Sequence, residues 1–116
     1  MATLNRCEFI GRLGKDPVSA IVNGSPNTKF SLAVDQGKSQ PVMWLNITCW
    51  DKLAETVEKY ARKGMLVFLQ GKLQVRKYKD RNKADQLSVE IIANDVQLLE
   101  KREKQGDELP DEVLPV

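Results

Sequence analysis

Apolar and polar residues alternate along much of this chain, and a period of two predicts β-strands. The clearest case is Val42 to Trp50. Leu45, Ile47 and Cys49 point one way; Trp44, Asn46, Thr48 and Trp50 point the other. Five more stretches read as strands. Thr3 to Leu13 alternates imperfectly through Leu4, Phe9, Ile10 and Leu13, which suggests a bulge or burial on both faces. Val18 to Val22 is short, and Asn23-Gly24 after it suits the positive φ angles of a tight hairpin turn. Lys29 to Asp35 returns with Phe30, Leu32 and Val34 inward. Met65 to Leu73 is apolar on both faces, with Val67 and Leu69 on one and Leu66 and Phe68 on the other. Such a strand is covered on both sides, and in so short a chain the second cover is expected to be another subunit. Leu87 to Leu99 shifts its inward parity from Leu87, Val89 and Ile91 to Val96 and Leu98, so a bulge near Asn94-Asp95 is predicted.

One segment changes period. From Lys52 to Lys63, Leu53, Ala54, Val57, Tyr60 and Ala61 share a face at helical spacing. Asp51 is the expected N-cap and Gly64 the expected stop. Glu55 with Lys59, and Glu58 with Arg62, are spaced for i,i+4 ion pairs. Strands, then a helix, then two strands suit an all-β, five-stranded Greek-key barrel with its helix between the third and fourth main strands. That is the OB architecture, whose sheet face and loops bind oligonucleotides. It would occupy residues 1–100. Residues 101–116 form a short acidic tail, expected to lack regular structure because of Pro110 and Pro115.

Charge sharpens the picture. The 116 residues carry a net +2, but Asp107, Glu108, Asp111 and Glu112 make the last twelve −4, which leaves the first 104 at +6. A basic body suggests a polyanion partner. Lys72 to Lys83 concentrates it: Lys72, Arg76, Lys77, Lys79, Arg81 and Lys83 stand against Asp80 alone, with Tyr78 among them. This reads as a basic β-hairpin arm. Trp44 and Trp50 lie on the more polar face of their strand. Tryptophan is usually packing, but two on that face beside a basic arm suggest a platform for stacking bases.

Histidine is absent, which removes His-based acid–base chemistry and His metal ligands. Cys7 and Cys49 sit in apolar strands far apart and read as core thiols of a reducing compartment. Asp35, Asp51, Asp80 and Asp85 are too scattered to build a two-metal centre. No metal, no cofactor and no enzymatic activity are expected. The longest apolar run is Met65 to Leu69 and the N-terminus has no signal core, so neither membrane association nor secretion is expected.

The ordered motifs resemble the bacterial single-stranded DNA-binding protein family over roughly Thr3 to Leu99. They are Asn5, Ile10-Gly11-Arg12-Leu13-Gly14-Lys15-Asp16-Pro17, Phe30-Ser31-Leu32-Ala33, Trp44 through Trp50-Asp51-Lys52-Leu53-Ala54-Glu55, Tyr60-Ala61-Arg62-Lys63-Gly64, and Gly71-Lys72-Leu73-Gln74-Val75-Arg76-Lys77-Tyr78. The resemblance implies an OB fold, binding of single-stranded DNA without sequence preference, and a homotetramer built as a dimer of dimers. It implies base stacking on Trp44, on Trp50 in place of the family's phenylalanine, and on Tyr78 in place of its usual tryptophan. Lys72, Arg76 and Lys77 fall among the family's backbone contacts, with Lys79 and Arg81 on the same arm. Leu66 and Phe68, on the second apolar face of their strand, are the expected oligomer interface, and the resemblance adds Leu45, which stands where many members have a histidine used in subunit association. The implied setting is the cytoplasm, with the nucleoid, or a plastid.

The chain departs from the family pattern in two regions. The loop Gln36 to Pro41 is short, and the C-terminal region ends in Val116 rather than phenylalanine. Replication and repair proteins would therefore be recruited weakly through the tail. A second reading stands beside the first: an accessory OB protein, a primosomal protein or a short paralogue of the family, working mainly through protein contacts with weak DNA binding.

Overall fold

A computed structural model describes residues 2–100; the expected acidic tail lies outside the described residues. Six strands and one helix follow in the order β1 (Cys7–Leu13), β2 (Val18–Val22), β3 (Ser25–Val34), β4 (Met43–Trp50), α1 (Asp51–Tyr60), β5 (Leu66–Lys79) and β6 (Asp85–Leu98). The sheet runs β1-β5-β6-β4-β3-β2. β1 also pairs with β3, Arg12 opposite Ala33 and Leu13 opposite Leu32, so five strands close on one another and β2 hangs outside on β3. This is the expected OB fold, with the helix between its third and fourth main strands. β4 and β6 are parallel at Ile47 and Ile91; the other pairings are antiparallel.

Closure gives each strand an inside and an outside. Leu32, Ile47, Cys49, Val67, Leu69 and Ile91 fill the interior, and α1 adds Ala54 and Val57. The expected bulge is present: Gln70 pairs with Asp95 and Gly71 with Ala93, which leaves Asn94 unpaired and switches the parity of β6. The Asn23-Gly24 turn has φ of 51° and 83°, and Val22 pairs directly with Ser25. β3 therefore starts four residues earlier than the alternation suggested.

Several local expectations are corrected. β1 begins at Cys7, not Thr3, because a side chain does the pairing before it: Asn5 donates through Nδ2 to the Leu73 carbonyl (2.8 Å) and accepts the Leu73 N–H (2.9 Å). Asp51 is not the N-cap. Trp50 holds that position without a side-chain bond, and Asp51 opens the helix at φ 56°. The helix ends at Tyr60, before Gly64, and so leaves Tyr60 exposed. Arg62 does not pair with the Glu58 carboxylate. Its guanidinium donates to the carbonyls of Glu58 (2.9 Å), Lys59 (3.3 Å) and Ala61 (2.7 Å), where a cation meets the negative end of the helix. Among the described residues no Glu55–Lys59 ion pair forms; Lys59 Nζ lies 5.5 Å from the Tyr60 ring centre.

Burial pushes the Cys49 thiol up to about 12 from its ordinary 9.0. The folded state thus favours the protonated thiol. Its contribution to stability is complete below about pH 9 and lost as pH rises toward 12. At pH 8 an alkylating reagent should label Cys49 only as fast as the protein unfolds, while the half-buried Cys7 reacts sooner. Mass spectrometry of a labelling time course checks this; equal rates would show that the β4 core is open.

Candidate nucleic-acid interface

The outer face of the sheet is assembled by register. Lys29 lies opposite Thr48, Ser31 opposite Asn46 and Ala33 opposite Trp44 across β3 and β4. Thr48 lies beside Ile92 across β4 and β6. Lys72, Gln74, Arg76 and Tyr78 of β5 face Ile92, Glu90, Ser88 and Gln86 of β6. Two adjoining concavities, of about 370 and 320 Å³, run across this face and share Lys29, Thr48 and Glu90. Trp50, Lys72, Gln74, Arg76 and Ile92 line the first; Lys15, Asp16, Val18 and Asn46 help to line the second.

The aromatics are open. Trp44 is 59% exposed, Tyr78 51% and Trp50 36%. Trp44 is also supported from below: a Cβ added to Gly14 would sit 2.5 Å from Cζ3 and 3.0 Å from Cη2 of its indole. Only glycine lets the ring lie so close to the backbone. The loop that carries Gly14 is pinned in turn. Gly14 N–H donates to the Ser31 carbonyl (3.0 Å), and Asp16 Oδ1 accepts the Lys63 N–H (2.8 Å). Arg12 fastens the strand before it, donating to Gly64 O (2.9 Å) and to both carboxylate oxygens of Glu100 (2.9 and 3.2 Å).

The arm is a regular hairpin with two unlike faces. Strand alternation separates Lys72, Arg76 and Tyr78, on the concave side, from Lys77 and Lys79 on the other. Lys77 and Lys79 share their face with the exposed apolar residues Leu73, Val75, Leu87 and Val89, and Lys79 is paired with Asp85 at 2.8 Å. Arg81 sits in the turn. Asp80 holds that turn: its Oδ1 accepts the N–H groups of Ala84 (3.0 Å) and Asn82 (2.9 Å). These bonds, that from Ala84 foremost, hold its carboxyl below the usual carboxylate range.

Sequence reasoning missed Lys29, Gln74 and Glu90 in the groove. Lys29 was within reach: with Phe30 inward, its neighbour must face out with Trp44. Leu66 and Phe68 are half-buried on the outer side of β5, away from the core. Leu45 sits opposite Leu32 on the inward side, half-buried against the core. Among the described residues no group of three or more His, Cys, Asp or Glu could hold a metal ion, and no helix is long and apolar enough to cross a membrane.

Known proteins resemble this chain in sequence and in fold. The Single-strand binding protein family model matches residues 4–99. A single-stranded DNA-binding protein of Neisseria meningitidis is 35% identical over 116 residues, covering 93% of this chain and 67% of the relative. Single-stranded DNA-binding protein 1 of Xylella fastidiosa is 30% identical over 127 residues, covering 95% and 93%. The structure of a Plasmodium falciparum SSB complex with ssDNA superimposes with a TM-score of 0.76 at 32% identity, covering 86% of this chain and 98% of that one. On the family match, the shared fold and the sequence identity together, the chain belongs to the single-strand binding protein family.

Proposed function

We propose that this chain binds single-stranded DNA without sequence preference, as a non-catalytic partner of replication, repair and recombination. One observation carries the reading. Trp44, supported by Gly14 and more than half exposed, shares an outer sheet face with Trp50, Tyr78 and the cations Lys29, Lys72 and Arg76. Flat rings take bases of any identity, and cations spaced between them take the backbone. The relatives named for single-stranded DNA, and the neighbour solved with it, support the same reading.

Trp44→Ala should weaken oligo(dT) binding by about 1–3 kcal/mol, the usual worth of one stacked base. Tyr78→Ala should cost less, because a phenol offers less stacking area than an indole. Gly14→Ala should also weaken binding while the fold survives, since its Cβ tilts the Trp44 ring. Fluorescence titration with unfolding controls measures all three; unchanged affinity in Trp44→Ala would mean that this ring is no platform.

Binding should weaken with salt at a slope near −0.7 per phosphate neutralised. Lys29→Gln and Lys72→Gln should each flatten the slope by about 0.7. A native affinity that ignores salt would instead favour the accessory role through protein contacts.

The subunits should associate as a homotetramer, with Leu66 and Phe68 at the contact. Both are half-buried on the outer side of β5, and β1 from Cys7 to Gly11 has no ladder partner on its free side among the described residues. Analytical ultracentrifugation should find a tetramer that Phe68→Asp dissociates. A native monomer at micromolar concentration would refute it.

A further inference from the structure

Within the concavity that Trp50, Lys72 and Arg76 share, Glu90 is the only acid among the lining residues. A carboxylate is an unexpected lining for a polyanion groove, and this one is not at the rim. Its side chain is 15% exposed, against 59% for its partner Arg76. It covers Thr48, which belongs to the outward face of β4 yet is buried. Thr48 Oγ1 donates to Glu90 Oε2 at 2.6 Å, and Arg76 Nη2 donates to Oε1 at 3.3 Å. A hydroxyl and a guanidinium converging on one oxyanion are donors that proteins commonly offer to a phosphate oxygen. Here the chain's own carboxylate takes that place.

We infer that Glu90 competes internally with the DNA phosphate for Arg76 and Thr48. It positions the Arg76 guanidinium over the groove and at the same time withholds it from the strand. An incoming phosphate either leaves the pair intact, and binds beside a poorly solvated negative charge, or displaces it and strands that charge. Both routes cost affinity, and both reduce the net neutralisation on which salt dependence rests. Lys29 and Lys72 carry the remaining positive charge of this concavity, and neither has an ion-pair partner among the described residues. Glu90 therefore keeps the groove weaker than its cations allow, which favours release of the strand.

The inference rests on the proposed binding of single-stranded DNA, and oligo(dT) titrations across several salt concentrations separate the two. Glu90→Gln keeps the size and can still accept from Thr48 but loses the charge. It should bind about 3–10-fold more tightly at low salt, with a slope steeper by up to about 0.7 and a gap that narrows as salt rises. Glu90→Asp, which keeps the charge on a shorter side chain, should gain less than Glu90→Gln. Should Glu90→Gln fail to fold by circular dichroism, Glu90→Met combined with Thr48→Val, which removes the charge together with the hydroxyl it satisfies, carries the test and must likewise bind more tightly at low salt. Equal or weaker binding by the folded charge-removing variant overturns the inference. A native protein that does not bind oligo(dT) overturns the proposed function itself.

Discussion

Closure of one small sheet through β1 is the constraint on which the rest depends. β1 pairs with β5 along most of its length and with β3 at its end. Five strands thereby acquire an interior too small for anything but their own side chains. Leu32, Ile47, Val67, Leu69 and Ile91 fill it, each contributing about 1.5–3 kcal/mol on full burial. Alternation then leaves no choice for the neighbours. Once Ile47 and Cys49 are inside, Trp44, Asn46, Thr48 and Trp50 are outside. A core requirement thus produces the outer face on which the tryptophans stand.

Several turn and terminal residues act mainly as supports. Gly14 is a floor for the Trp44 ring, and Asp16 ties its loop to the segment after α1. Arg12 and Glu100 join the start of the barrel to the end of β6. Asn5 substitutes for a strand along Leu73, where the hairpin leaves the barrel. A stacking surface benefits from such rigidity, because a ring fixed in advance loses little further freedom when a base settles on it.

Positive charge on this face is partly offset. The arm splits its bases between two sides, so only part of its charge reaches the concavity. There Glu90 offsets Arg76 directly. Because Glu90 also supplies the acceptor for the buried Thr48 hydroxyl, the acid is built into the sheet packing and not merely set beside it. Packing and groove charge therefore meet at one side chain.

The sequence by itself determined the strands, their inward residues, the Asn23-Gly24 turn and the bulge at Asn94. These follow from local alternation and backbone preference, which act over a few residues. It also placed both tryptophans outside, since parity within β4 is a local property. Some of its errors fell at element ends. The helix stopped at Tyr60, with Ala61 extended at its C-cap and the Arg62 guanidinium on its last carbonyls, and β1 started at Cys7 because Asn5 reaches Leu73 across 68 positions of sequence. Only the tertiary structure decided that Lys29 joins the groove, that Lys77 and Lys79 turn away from it, and that Glu90 meets Thr48 and Arg76. Each of these depends on the register between strands distant in the chain, and that register is set by closing the barrel.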